Sequence, residues 1–205
     1  MFDAHQLAAF LATIVAMVIL PGPNTMIILA HSLAGRRAGF ATILGVELGT
    51  MVHTLAVAIG LSALIAASPA AFTVVKYAGV AYLIFAGVKA LLQRAPAPSE
   101  LATLGTTIAF RRALVTNLLN PKSIVFFVAF LPQFVRPEHG RLFLQFLLLG
   151  ILLSCVGLFI GAIEVLAAAS LSAWLRGHAS FAQWQQRVTG AVFIAIGVIV
   201  AMTAR

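Results

Sequence analysis

ILPGPNTMIIL, residues 19–29, places two prolines, a glycine and an asparagine inside the first long apolar run of the chain. Pro21 and Pro23 each lack an amide donor and clash with the preceding turn, while Gly22 between them lets the backbone leave helical geometry. A helix running through this stretch has to open. The carbonyls and amides freed by the opening cannot face lipid unsatisfied, so the break belongs inside protein or beside a wet cavity.

Composition says that the surroundings are lipid. The chain has 205 residues, 62% hydrophobic and 9% charged, with a mean hydropathy of +1.08. Such a chain lacks the polar residues needed to clothe a soluble domain. Crossing a hydrocarbon core of roughly 30 Å takes about 20 helical residues at about 1.5 Å each. Six runs reach or approach that length, at 5–31, 40–66, 70–92, 112–134, 142–169 and 187–204. The short alternating segments of an outer-membrane barrel are missing, so the fold class is an all-α integral membrane protein. MFDAHQLAAF at the start carries an acid and no basic n-region, and it reads as a retained first span rather than a signal peptide. Between the third and fourth runs, RAPAPSELATLGTTIAFRR (94–112) has linker composition. The chain therefore divides into a three-span unit over 1–93, a cytoplasmic linker over 94–111 and a second three-span unit over 112–205.

A net charge of +8 suggests nucleic acid in a soluble protein, but here the basic residues cluster at span ends, where headgroups and topology account for them. Connections one, three and five hold Arg36, Arg37, Lys89, Arg94, Arg111, Arg112, Arg176 and Arg187. The other connections and the termini hold Arg136, Arg141 and Arg205, leaving Lys76 just inside the third span and Lys122 within the fourth. By the positive-inside rule the odd connections are cytoplasmic and both termini face out.

The second unit repeats the break of the first. LLNPKSIVFF (118–127) aligns without a gap on LPGPNTMIIL (20–29) when Pro121 is set on Pro23. Asn120 then meets Gly22, Lys122 meets Asn24, and Ser123 meets Thr25. Three spans separate the copies, so they cross the membrane in opposite directions. Two inverted three-helix repeats with broken first and fourth spans are the pattern of a secondary transporter, whose breaks meet near the midplane and form the substrate site. Pro21, Gly22, Pro23, Asn24, Thr25, Asn120, Pro121, Lys122 and Ser123 are the candidate substrate-binding residues.

PGPN (21–24), GVELGTMVH (45–53), GVAYLIFAGVK (79–89) and NPKSIVFFVAFLPQFV (120–135) resemble the LysE/RhtB family of amino-acid exporters. The resemblance runs from about residue 5 to the C-terminus. It implies a six-span protein of the bacterial inner (plasma) membrane that exports amino acids or close relatives, driven by the proton gradient. The chain departs from the family pattern at Thr50, where many relatives carry Asp; Glu47 supplies a carboxylate one turn earlier on the same face.

Glu47 needs a reason to lie deep in the second span, since a carboxylate near a helix centre costs about 2.5–3.5 kcal/mol on insertion scales. At about 100° per residue Glu47, Thr50 and Thr54 form one stripe, while Gly45, Gly49 and His53 form another on the opposite side. The glycine stripe reads as close helix packing; the Glu47 stripe reads as the face turned to the pathway. Lys122 must find an acid or freed carbonyls, with Glu47 its nearest partner by repeat logic, or else it binds the substrate carboxylate beside the half-helix amides at Asn24 and Ser123. His53 is a proton carrier or a hydrogen-bonded packing residue. Glu164 shares a stripe with Gly157 and Gly161 but falls within two turns of the expected span end, where it either serves the pathway or reaches the interface. Phe126, Phe127, Phe130 and Phe134 read as lipid-facing or packing bulk.

The function classes separate on these residues. An exporter of a small zwitterionic solute uses a cation and a carboxylate at the breaks, together with a carboxylate that takes the coupling proton. An intramembrane enzyme needs a nucleophile–base pair or metal ligands, and no such motif is present. A membrane scaffold without transport activity is the alternative, but it has no use for polar groups focused on two matched breaks. Cys155 alone supports neither a disulfide nor a two-thiol relay and reads as a small packing residue. The expected partners are an amino-acid-like solute, protons and membrane lipids, with a homo-oligomer admissible and no cofactor, metal or nucleic acid. The charge asymmetry is tested by labelling in a Cys155→Ala background. A cysteine at Ser99 is expected to be shielded from an impermeant thiol reagent in intact cells and one at Ala67 to react; the reverse pattern inverts the topology.

Overall fold

The computed structural model describes residues 2–19, 22–92 and 105–177, with scattered positions between 184 and 202. Its elements are α1 (Ala4–Ile19), α2 (Pro23–Ala34), α3 (Arg36–Ala67), α4 (Pro69–Leu92), α5 (Thr106–Leu118), α6 (Pro121–Val125) and α7 (Leu142–Gly177). No strand occurs among the described residues. Arg36–Leu64 and Leu142–Ala168 are long and apolar enough to cross a membrane, and two more spans result if α1–α2 and α5 with the segment after it each count as one bent unit. The expected third span corresponds to α4, whose apolar part runs over Tyr77–Lys89. The expected sixth span lies mostly outside the described residues; its described positions are helical.

Both breaks are where covalent geometry demands them, and each bends its pair of helices by 54°. Gly22 and Asn120 are extended, and Pro23 and Pro121 follow them as the first residues of α2 and α6, where a missing amide costs nothing and the fixed φ suits a helix start. The segment after α6 is not a regular helix. Phe126–Phe130 widens into a π-helical turn and Leu131–Phe134 tightens into a 3-10 turn. Pro132 explains both, because it removes a donor and its ring crowds the carbonyl four residues back.

Two expected boundaries move. Helix α5 starts at Thr106, so the last residues assigned to the linker are helical, while 93–104 lie outside the described residues. Helix α7 runs 36 residues, to Gly177, so Glu164 is well inside it rather than near its end.

Glycines decide which helices touch. A Cβ on Gly45 would meet the Phe110 carbonyl and Ala113, and one on Gly49 would meet Asn117, so α3 and α5 lie against each other and run parallel. This is the packing stripe expected from sequence. Along α3 through Gly39, Ile43, Glu47 and Thr54 the facing positions on α7 fall through Val165, Gly161, Gly157 and Gly150, so these two helices are antiparallel. Gly87 of α4 faces Gly190 and Ile194, and Gly190 in turn faces Leu91.

Polarity is arranged inside out. Leu44, Leu48, Val52, Leu55 and Ile59 form an exposed apolar stripe on α3, whereas Thr42, Glu47, Thr50 and Thr54 on the same helix are buried. Cys155, expected as a packing residue, is exposed on the outside of α7. Phe126 and Phe127 are packing bulk, in a cluster with Phe10, Ile14, Phe146 and Leu149.

Beyond this cluster the N-terminus is tied to the loop before α7. Asp3 pairs with Arg136 at 2.6 Å, and Gln6 donates to the Phe134 carbonyl at 2.7 Å. The amide of Gln6 donating to Asp3, with Arg136 beside it, holds this carboxyl below the usual carboxylate range. Gln145 is fully buried; it accepts from the Arg136 amide at 2.9 Å and donates to the carbonyls of Arg136 and Gly140 at 2.9 and 2.7 Å. The chain reaches it through Gly140 and Arg141, both at positive φ. Exposed ion pairs contribute little, whereas stranding a buried backbone group costs about 1–3 kcal/mol. Gln145→Leu is therefore expected to lower the thermal unfolding midpoint of the purified protein clearly and Asp3→Asn to leave it nearly unchanged.

Candidate functional site

The two breaks meet. Asn120 donates to the Asn24 side chain at 3.1 Å, and its own oxygen accepts from the Lys122 amide at 3.0 Å, capping α6. The Lys122 side chain passes over Gly22, its Cδ and Nζ at 3.6 and 3.7 Å from where a Cβ would stand. Its ammonium donates to the Met17 carbonyl at 2.7 Å. Met17 is in the last turn of α1, where carbonyls have lost their intrahelical donors and the helix dipole favours a cation.

A cavity of about 80 Å³ opens around this junction, room for several waters or a small solute. Gly22, Asn24 and Thr25 line it from the first break, and Asn120, Lys122 and Ser123 from the second. Glu47 and Thr50 of α3 and Glu164 of α7 complete the polar lining. Nine residues singled out from sequence are thus brought together. Pro21 lies outside the described residues; Pro23 is exposed at the start of α2, and Pro121 opens α6. His53 is not in the lining. Its Nε2 lies 3.3 Å from the Asn117 carbonyl and its ring stacks on Phe127 at 5.3 Å.

The charge pairing differs from expectation. Glu47 does not meet Lys122. Its Oε2 accepts from Ser154 at 2.6 Å, and among the described residues no basic side chain lies within ion-pair distance. The acid that shares its field with Lys122 is Glu164 of α7. Aligning the two breaks in sequence carries no information on which acid of α3 or α7 the helix register brings to the lysine. Glu47 itself lies over Gly157, where any Cβ would overlap its carboxylate.

Two polar groups of the site were missed. Ser154 is a lone hydroxyl in an apolar run, and nothing local distinguishes it from a packing serine. Asn117 lines the cavity and is 1% exposed, with a side-chain oxygen that has no hydrogen-bond partner. Its signal was available: an amide one turn before Asn120, in a segment otherwise apolar.

Polar groups and charges gather where two broken helices meet, inside a bundle whose described outer surface is apolar, and by its family such a chain is a translocator and not an enzyme. Residues 15–204 match the family described as LysE type translocator, and the chain belongs to that family of multi-pass membrane proteins. It is 33% identical over 202 residues to an uncharacterized membrane protein of Vibrio cholerae, covering 97% of this chain and 98% of the relative. It is also 33% identical over 198 residues to a homoserine/homoserine lactone efflux protein of Salmonella typhimurium, covering 94% of each. No solved structure matches the chain.

Asn120 is the residue that joins the breaks, and the two bonds it makes are separable. Asn120→Ala loses a helix cap and a side-chain hydrogen bond, each about 1 kcal/mol. Asn24→Ala loses only the second. Thermal denaturation of the purified variants is expected to show the larger drop for Asn120→Ala, by about twofold in free energy.

Proposed function

We propose that the chain is a secondary exporter of an amino acid or related small zwitterionic metabolite, built as two inverted three-span repeats over 1–93 and 112–205 and coupled to protons at a cavity carboxylate. The observation that carries this reading is the reciprocity of contacts at the breaks. With Pro23 set on Pro121, Asn24 is equivalent to Lys122 and Gly22 to Asn120. A two-fold relation then requires that the Asn24–Asn120 contact be matched by one between Lys122 and Gly22, and both are present. The antiparallel run of α3 on α7 accords with it.

Glu47 supplies the coupling chemistry. Its charge has a hydroxyl for company but, among the described residues, no basic side chain within ion-pair distance, so its charged form is stabilised by whatever cation arrives: a proton, or the ammonium of a solute. Two cations competing for one carboxylate exchange for each other, and that is how an inward proton gradient drives a solute out. Glu164 and Lys122 offset each other and keep the junction neutral. The name of the Salmonella relative, a homoserine/homoserine lactone efflux protein, supports a solute of amino-acid size, and the cavity has no room for a drug-sized one.

The test is transport of labelled homoserine and a panel of amino acids in vesicles, with and without an imposed pH gradient. The gradient is expected to accelerate transport by the wild type. Glu47→Gln should insert and fold but lose that acceleration, while Glu164→Gln should lose less. Wild-type acceleration in Glu47→Gln removes Glu47 from the coupling step, and the absence of transport of any amino acid overturns the exporter reading.

A further inference from the structure

We infer that Asn117 is a specificity-determining residue of the cavity, its side-chain amide taking a neutral polar group of the solute, a hydroxyl or a carboxamide, and disfavouring an apolar body of the same shape. This rests on the exporter reading for what the site is, and adds which residue discriminates between solutes. Asn117 lines the cavity from the last turn of α5. It is 1% exposed, and its side-chain oxygen has no hydrogen-bond partner among the described residues. A buried amide in that state costs stability, so the group that completes it comes from outside the chain.

The surroundings hold the amide in place. The main-chain carbonyl of Asn117 accepts from the Asn120 amide at 3.1 Å and lies 3.3 Å from Nε2 of His53, which anchors the backbone. The side chain lies against Gly49 of α3, where a Cβ would stand 2.6 Å from Oδ1 and 2.9 Å from Cγ. A recognition group fixed in this way loses little freedom when the solute arrives. Neighbouring neutral groups are already engaged: Asn24 and Asn120 hold each other at 3.1 Å, and Thr50 donates to the Val46 carbonyl at 3.2 Å. Charged ends of a solute have Glu47, Glu164 and Lys122 to meet in the same lining, so the neutral amide is left for a neutral group. Turning an amide over exchanges its donor and acceptor ends, and a hydroxyl or carboxamide, having both, pairs with either. A methyl group of the same size pairs with neither. A site built to hydrogen-bond its substrate rejects such an analogue strongly, because the amide is then stranded.

The experiment uses the purified full-length protein in detergent and two pairs of nearly isosteric amino acids, L-asparagine with L-leucine and L-threonine with L-valine. Both members of a pair carry the same ammonium and carboxylate, so only the neutral group differs. Thermal stabilisation reads binding without requiring transport. At least one polar member is expected to reach half its effect at a concentration about tenfold or more below that of its apolar counterpart. Asn117→Leu, which keeps the shape and removes the amide, should abolish this preference while L-leucine and L-valine stabilise the protein at least as well as before. Asn117→Ala asks the same question with no steric demand on Gly49, should the leucine variant not fold. Equal or reversed ranking in both pairs overturns the inference on the wild type alone, as does the absence of stabilisation by either polar member. A preference retained in whichever variant folds moves the recognition elsewhere and refutes it. Failure of both variants to fold places the amide in the fold rather than in recognition and refutes it too. Binding with the expected preference but no transport in vesicles leaves the inference standing and refutes the exporter reading, and transport without the preference does the reverse.

Discussion

Lys122 reaching the Met17 carbonyl across the first break is the contact on which the arrangement of the bundle depends. Opening α1 before Pro23 frees carbonyls where no lipid can satisfy them, and each left bare costs several kcal/mol. The remedy is a donor brought from the second break. Once that donor is an ammonium, it imposes a further demand, because a cation in an apolar bundle needs an acid nearby. Glu164 of α7 meets that demand from across the cavity. A break in one helix thus leads through a lysine to a glutamate on the helix that packs antiparallel to α3. Each member is present because the previous one has to be satisfied, and the cavity is the space these groups enclose.

What could be read in advance was what local chemistry settles. Pro23 and Pro121 break their helices through ring geometry alone, so both breaks were legible, as were the two faces of α3, since helical periodicity separates Glu47 and Thr50 from Gly45 and Gly49 whatever lies beyond them. The partners were not legible. Whether Lys122 meets Glu47 or Glu164 depends on how α7 is registered against α3, and that register is set by Gly150, Gly157 and Gly161 meeting Thr54, Glu47 and Ile43, a tertiary fit. Composition also does not mark helix ends: residues from Thr106 onward have linker composition yet form the first turns of α5, and α7 outlasts its apolar run. Pro132 carries a local signal for the π and 3-10 turns.

On the proposed two-fold relation the two breaks are equivalent in position and different in chemistry, and electrostatics gives the reason. At the aligned positions the first carries Asn24 and the second Lys122. The two contacts between them are correspondingly unlike: an amide pair at Asn24–Asn120, and a lysine chain lying over a glycine at Lys122–Gly22. A faithful repeat would place a lysine at both. Two ammoniums about 4 Å apart repel by about 4 kcal/mol at an effective dielectric constant near 20, and the junction has one freed carbonyl and one paired acid to offset them. Keeping the charge on one copy and a neutral amide on the other leaves Asn24 free to hold Asn120, and Asn120 free to cap the helix that carries the lysine. On the proposed repeat the same asymmetry leaves Glu47, among the described residues, without a basic side chain within ion-pair distance, so its charge rests on the Ser154 hydroxyl.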